Sequence, residues 1–231
     1  MSRALLAGAE EILRSGTAGQ PAPRVDDAGA WARPLFFFLV CASCYGALMG
    51  TFGGFHGDRI WMVLFSAIKV PLLLIVTGAV CLPSFFVLNT LFGLREDFPQ
   101  VMRALMMTQA GFAIILLSFA PFTLFWYASS ADYDASTLFN AMIFAAASLT
   151  AQWLLGRHYR PLIARQPRHR ILHRVWLVLF AFVGIQTAWI LRPFVGMPNA
   201  PAQFLRAESW GNAYVEIAHK MRDVVVNFAA D

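Results

Sequence analysis

Charge is what this 231-residue chain has least of: only 13% of its residues are Asp, Glu, Lys or Arg, where a soluble domain carries about 25%. The few acidic residues avoid every long apolar run, so no intramembrane carboxylate is offered for acid–base or proton-relay chemistry. Cysteines number three, Cys41, Cys44 and Cys81, all inside apolar runs, and an odd number held in lipid argues against a disulfide framework. Cys41 and Cys44 have the spacing of redox and zinc ligands. No His or acidic residue accompanies them in that run, so they read as small packing residues. No secretory leader is expected either, because the first apolar run begins only at Leu35 and lacks a cleavage-like site. The glycine-rich stretch 53–59 lacks the Lys-Ser/Thr ending of a phosphate-binding loop and follows no strand, so it reads as a turn. No catalytic motif is present, and the expectation is a protein that is not an enzyme and needs no cofactor or metal.

What fills the chain instead is apolar: 58% of it is hydrophobic and its mean hydropathy is +0.59. The longest run, residues 60–93, holds one charge, Lys69, and two prolines, Pro71 and Pro83. As one helix it would reach about 50 Å, well past a hydrocarbon core of about 30 Å. Lys69 and Pro71 mark a natural division, since Pro suits a first helical turn where its missing N–H costs nothing. The expectation is an interfacial turn or short helix over 60–69 and a span over 70–93, bent near Pro83. Four other runs are long enough to cross a bilayer: 34–52, 104–128, 136–155 and 175–194. The fold class expected is all-α, a polytopic membrane bundle of five transmembrane helices with an amphipathic C-terminal helix. A six-span arrangement, with 60–82 crossing and 83–93 re-entering, ranks second. Residues 1–33 read as a soluble, mobile N-terminal arm and linker, 34–194 as the membrane domain, and 195–231 as an extramembrane tail.

The formal charge of +5 suggests nucleic acid until the positions of the charges are read. Six of the 18 basic residues, Arg157, Arg160, Arg165, Arg168, Arg170 and Arg174, fall in one short loop between spans four and five. That is the pattern of topology determination by positive charge, and no nucleic-acid partner is expected. With five spans the bias places the N-terminus in the cytoplasm and the C-terminus outside. The same loop is also a candidate patch for anionic lipid. His158, His169 and His173 lack zinc-ligand spacing, and no carboxylate lies in the loop beside them.

Lys69 has two readings. At bilayer depth its partners would be backbone carbonyls or the amides of Asn89, Gln109, Asn140, Gln152 and Gln186, an arrangement that points to an anion. The favoured reading is that it snorkels to the interface. Span one carries Ala42, Gly46, Gly50 and Gly54, a small residue at every fourth position, which lets another backbone approach closely, from this chain or from a second one. Span four is rich in alanine (Ala141, Ala145, Ala146, Ala147, Ala151) and is expected in the middle of the bundle. Pro121 should bend span three, and Pro193 should stop span five after Arg192. Beyond it, Trp210, Tyr214, Ile217, Met221, Val224 and Phe228 recur at steps of four and three, with polar residues opposite. That stripe is a candidate docking surface for the membrane or a protein partner.

Lys69-Val-Pro71-Leu and Pro83-Ser-Phe, the soluble arm and the five closely packed spans resemble the Yip1-like family of five-span membrane proteins, over about residues 30–195. The resemblance implies a membrane-organising or trafficking-type adaptor without catalytic residues. The function expected is a scaffold or accessory subunit of a membrane assembly, with membrane lipids and a protein partner or second copy as its contacts. Two alternatives stand beside it. One is a small transporter or channel subunit with Lys69 and the bent helices of Pro71 and Pro83 lining the path. The other is a membrane enzyme acting on lipid head groups through the Arg/His loop.

Overall fold

The computed structural model describes residues 2–14, 28–54, 57–196, 202–205 and 214–215. Among them it is all-helical: α1 (Ser2–Arg14), α2 (Ala28–Gly50), α3 (Ile60–Leu91), α4 (Phe98–Ser118), α5 (Ala120–Ser129), α6 (Tyr133–Arg165) and α7 (His169–Leu191). Among the described residues five segments are long and apolar enough to cross a membrane: Trp31–Gly50, Ile60–Leu91, Arg95–Ser129, Tyr133–Arg165 and His169–Leu191. They are the five spans expected.

Their ends differ from expectation for local reasons. The α3 helix is continuous through Lys69, Pro71 and Pro83, so no separate interfacial segment precedes Pro71 and no re-entrant turn follows Pro83. In an apolar medium a broken helix leaves backbone groups unpaired, whereas proline in a continuous one frees a single carbonyl. The third span does break, at Phe119, and α5 restarts with Pro121 in its first turn. Asp132 caps α6, its carboxylate accepting from the amides of Asp134 and Ala135 at 2.9 and 3.1 Å. At its other end α6 runs past the apolar run to Arg165, arginine being a good helix former, and stops before Pro167.

Around the bundle the order is α2, α3, α7, α6, α4 and back to α2. The small-residue stripe closes the α2–α3 contact. A Cβ on Gly46 would sit 2.3 Å from the Ser66 carbonyl oxygen, and one on Gly50 2.6 Å from the Val63 Cα. The partner of the stripe is therefore α3 of the same chain. Span four does not take the middle: Ala141, Ala145 and Ala146 of α6 are exposed, and only Ala147 and Ala151 are buried. Alanine packs as readily against lipid as against protein, so its abundance does not report depth. The N-terminal arm also departs from expectation. The α1 helix folds onto the bundle, with Ile12 in the same core as Phe37, Ala110 and Phe112, and with Glu11 paired to Arg33 at 2.6 Å. The linker at 15–27 lies outside the described residues.

The α3–α7 pair supplies a depth scale. Ser66 meets Phe194, Lys69 meets Pro193, Gly184 lies against Thr77, and Phe85 stacks edge-on against Trp176. The pairing holds a steady antiparallel register along the whole length. Between Arg174 and Arg192 helix α7 is free of charge, a stretch of about 27 Å that matches a hydrocarbon core. By register that slab runs on α3 from about Lys69 to about Val87, and the start of α3 stands beyond it.

Candidate functional site

Arg59, Ser66 and Lys69 recur along one face of the protruding part of α3, and the chain leaving α7 crosses that face. Lys69 Nζ donates to the Pro193 carbonyl at 2.7 Å, Ser66 Oγ to Phe194 at 2.6 Å, and an Arg59 guanidinium nitrogen to Gly196 at 3.4 Å. Arg59 also holds the Phe52 carbonyl at 2.7 Å, at the end of the turn in which Gly53 and Gly54 take φ of 76° and 98°. Phe204 covers the ammonium, with its ring centroid 5.1 Å from Nζ, and packs edge-on against Phe65. The segment that follows α7 thus presents its carbonyls to three donors at the start of α3, which is how backbone groups outside a helix are satisfied near lipid.

By the α3–α7 register Lys69 falls at the edge of the slab, but it is fully buried, so its ammonium does not reach water as the snorkelling reading expects. The reason is tertiary: the 193–196 segment and Phe204 lie between the ammonium and water. Among the described residues a backbone carbonyl, that of Pro193, accepts from it. Pro71 is buried beside Lys69, whereas Pro83 faces outward, so the three residues do not line one cavity.

The six-arginine loop is not a loop. Arg157, Arg160 and Arg165 ride on the last turns of α6, Arg170 and Arg174 on the first turns of α7, and only residues 166–168 turn between them. Arg157 stacks on Trp153, with its Cζ 5.2 Å from the ring centroid. The hairpin is pinned to the α3–α4 turn: Arg168 donates to the Phe92 carbonyl at 3.3 Å, Arg165 to the Gln100 side chain at 3.4 Å, and His169 meets Asp97 at 3.0 Å. The carboxylate missing from the hairpin comes from another turn, which no spacing in the sequence announces.

A second polar cluster also escaped the sequence reading. Tyr45 of α2 bonds Thr123 of α5 at 3.2 Å and donates to the side-chain oxygen Oδ1 of Asn140 of α6 at 3.4 Å. The Asn140 amide donates to Tyr127 at 2.8 Å, and Tyr127 donates to the Met49 carbonyl at 3.4 Å. These residues sit alone in apolar runs. The one signal available was that a buried Asn or Tyr inside a span must find a partner.

Of the predicted docking stripe, Trp210, Ile217, Met221, Val224 and Phe228 lie outside the described residues. Tyr214 is described: its ring stacks on Phe182 of α7 at 4.5 Å and its hydroxyl donates to the Phe182 carbonyl at 2.6 Å. Comparison with known proteins finds no matching family model, no similar curated protein and no similar solved structure.

Proposed function

We propose that the chain is a non-enzymatic integral membrane protein serving as a scaffold or accessory subunit of a larger membrane assembly, in the manner of the Yip1-like adaptors it resembles. One observation carries the reading: the polar side chains within the bundle named above hold helices to one another. Arg59, Ser66 and Lys69 tie α3 to the segment after α7, and Tyr45, Thr123, Tyr127 and Asn140 tie α2, α5 and α6. Groups used this way make a rigid platform. The Arg157–Arg174 hairpin faces the cytoplasm and its anionic lipid, with Asp132 outside, as the excess of basic residues at that end favours. Trp210, Ile217, Met221, Val224 and Phe228 serve as the docking element, Tyr214 of the same stripe being engaged with Phe182 of α7.

Ile217→Asp together with Met221→Asp tests this reading by placing charge in the middle of the stripe while leaving the five spans unchanged. The double variant is expected to insert and fold normally but to lose the partners that the wild type retains when captured from native membranes. Retention of the same partners would remove the docking element and the scaffold reading with it. The second reading, a small transporter or channel subunit, draws on the burial of Lys69 near the membrane boundary. It requires Lys69→Gln to abolish binding or flux of an anion in vesicles, whereas a scaffold keeps its partners through that change.

A further inference from the structure

Four polar side chains, Thr108 and Gln109 of α4 with Ser148 and Gln152 of α6, line one small cavity of about 20 Å³. Trp176 and Phe180 of α7 close it from the third side, their rings stacked 5.6 Å apart. These two residues follow Arg174 by two and six positions, which sets the cavity about 3–9 Å inside that edge of the hydrocarbon slab. Lipid tails offer no hydrogen bond at that depth. Yet the Gln152 Oε1 is a buried acceptor without a donor among the described residues. Gln109 and Ser148 make no hydrogen bond with a described residue either. Thr108 gives its proton to the Ala104 carbonyl at 2.8 Å, which leaves its own oxygen free to accept. A polar wall left in this way calls for a ligand that hydrogen-bonds.

The size and the chemistry of the wall select the ligand. A water molecule needs about 10–15 Å³ and two to four polar partners. The volume suffices for one. Gln152 Oε1 and Thr108 Oγ1 are acceptors, and the Ser148 hydroxyl and the Gln109 amide are donors, so both sides of a water can be met. A metal cation would find only neutral oxygens here. Neither α4 nor α7 carries an Asp or Glu, and α6 has only Asp134 in its first turn. We propose that this cavity is a binding site for one water molecule, which bridges α4 to α6. It makes a polar joint inside the hydrocarbon layer, as the Tyr45–Asn140 network does with side chains alone toward the Asp132 end. The site needs no partner protein and is independent of the scaffold reading.

A crystal structure of the full chain grown from a lipid mesophase, at a resolution that shows ordered water, tests the site directly. Wild type is expected to hold one water within hydrogen-bond distance of Gln152 Oε1 and of at least two of the other three side chains. Gln152→Leu should lose it. A dry cavity in wild type, a protein donor on Gln152 Oε1 in its place, or a water that Gln152→Leu keeps overturns the proposal. Unfolding in mixed micelles gives a second measurement. Thr108→Val and Gln152→Leu each remove a partner of the same water, so the second change has less left to lose. In its unfolding constant the double variant should be destabilised about fivefold less than the two single effects multiplied together. Thr150→Val is the matched control. Its hydroxyl also bonds the carbonyl four residues back, at 2.9 Å, but it is exposed and lies outside the cavity. Combined with Gln152→Leu, it should be additive. Additivity of the Thr108 pair, or equal coupling of the Thr150 pair, overturns the proposal.

Discussion

At the scale of single residues, Lys69 shows how a charge is kept at a membrane boundary without reaching water. Among the described residues its ammonium takes the Pro193 carbonyl and the face of Phe204, contacts that are worth more in a dry site than in solvent. Lys69→Met leaves that carbonyl bare and is expected to cost about 1–3 kcal/mol of stability. Tyr45→Phe removes one hydroxyl from a network with other connections and should cost about 0.6 kcal/mol, the usual size of an interhelical hydrogen bond in lipid. Unfolding in mixed micelles with rising denaturing detergent would rank the two. An equal or reversed order would mean that Lys69 does not hold the segment after α7. That Lys69 mattered was legible from its isolation in an apolar run. Its partner was not, because Pro193 lies 124 positions away.

At the scale of elements, the small-residue stripe of α2 decides how the first two spans meet. Gly46 and Gly50 touch α3 backbone, where nothing can rotate aside. Gly46→Val therefore has to push two helices apart and should cost about 1–3 kcal/mol or more, as overpacking does. A Cβ at Gly78 finds only the Gln109 amide at 3.9 Å, so Gly78→Ala should be neutral or slightly stabilising through helix propensity. The same unfolding measurement compares them, and a neutral Gly46→Val would show that α2 and α3 do not touch at that point. A four-residue repeat of small side chains announced a close contact, but a stripe is equally suited to a helix of another chain. Only the short turn between α2 and α3, pinned by Arg59 on Phe52, brings the neighbouring helix onto it first.

At the scale of the whole molecule, five antiparallel spans put the turn before α6 and the α6–α7 hairpin at opposite ends of the bundle. Single cysteines placed at Asp132 and Arg165 should label from opposite sides of a sealed membrane, with Asp132 reached from outside. Labelling of both from one side would end the five-span arrangement, and exchange of the two sides would reverse the orientation while keeping the fold. The register of α3 on α7 carries a consequence for depth. Three of the spanning segments exceed thirty residues while α7 has 23. Its charge-free stretch sets the slab, and the longer helices stand beyond it at one end or the other.

The amino-acid sequence by itself determined that the chain is a bundle of five membrane helices. Length and apolarity of a run decide whether backbone can sit in lipid, and that condition is local to the run. It also determined where charge accumulates, and so the Arg-rich end. The tertiary structure alone decided what each polar group does there. A helical continuation of Arg157–Arg165, the meeting of His169 with Asp97, the Tyr45–Asn140 network and the cover over Lys69 all depend on which helix lies beside which. Lipid rewards every apolar face alike, so hydropathy cannot choose neighbours. Neighbours are chosen by close backbone contact at glycine and by donors that must find acceptors, and both act between residues far apart in the chain.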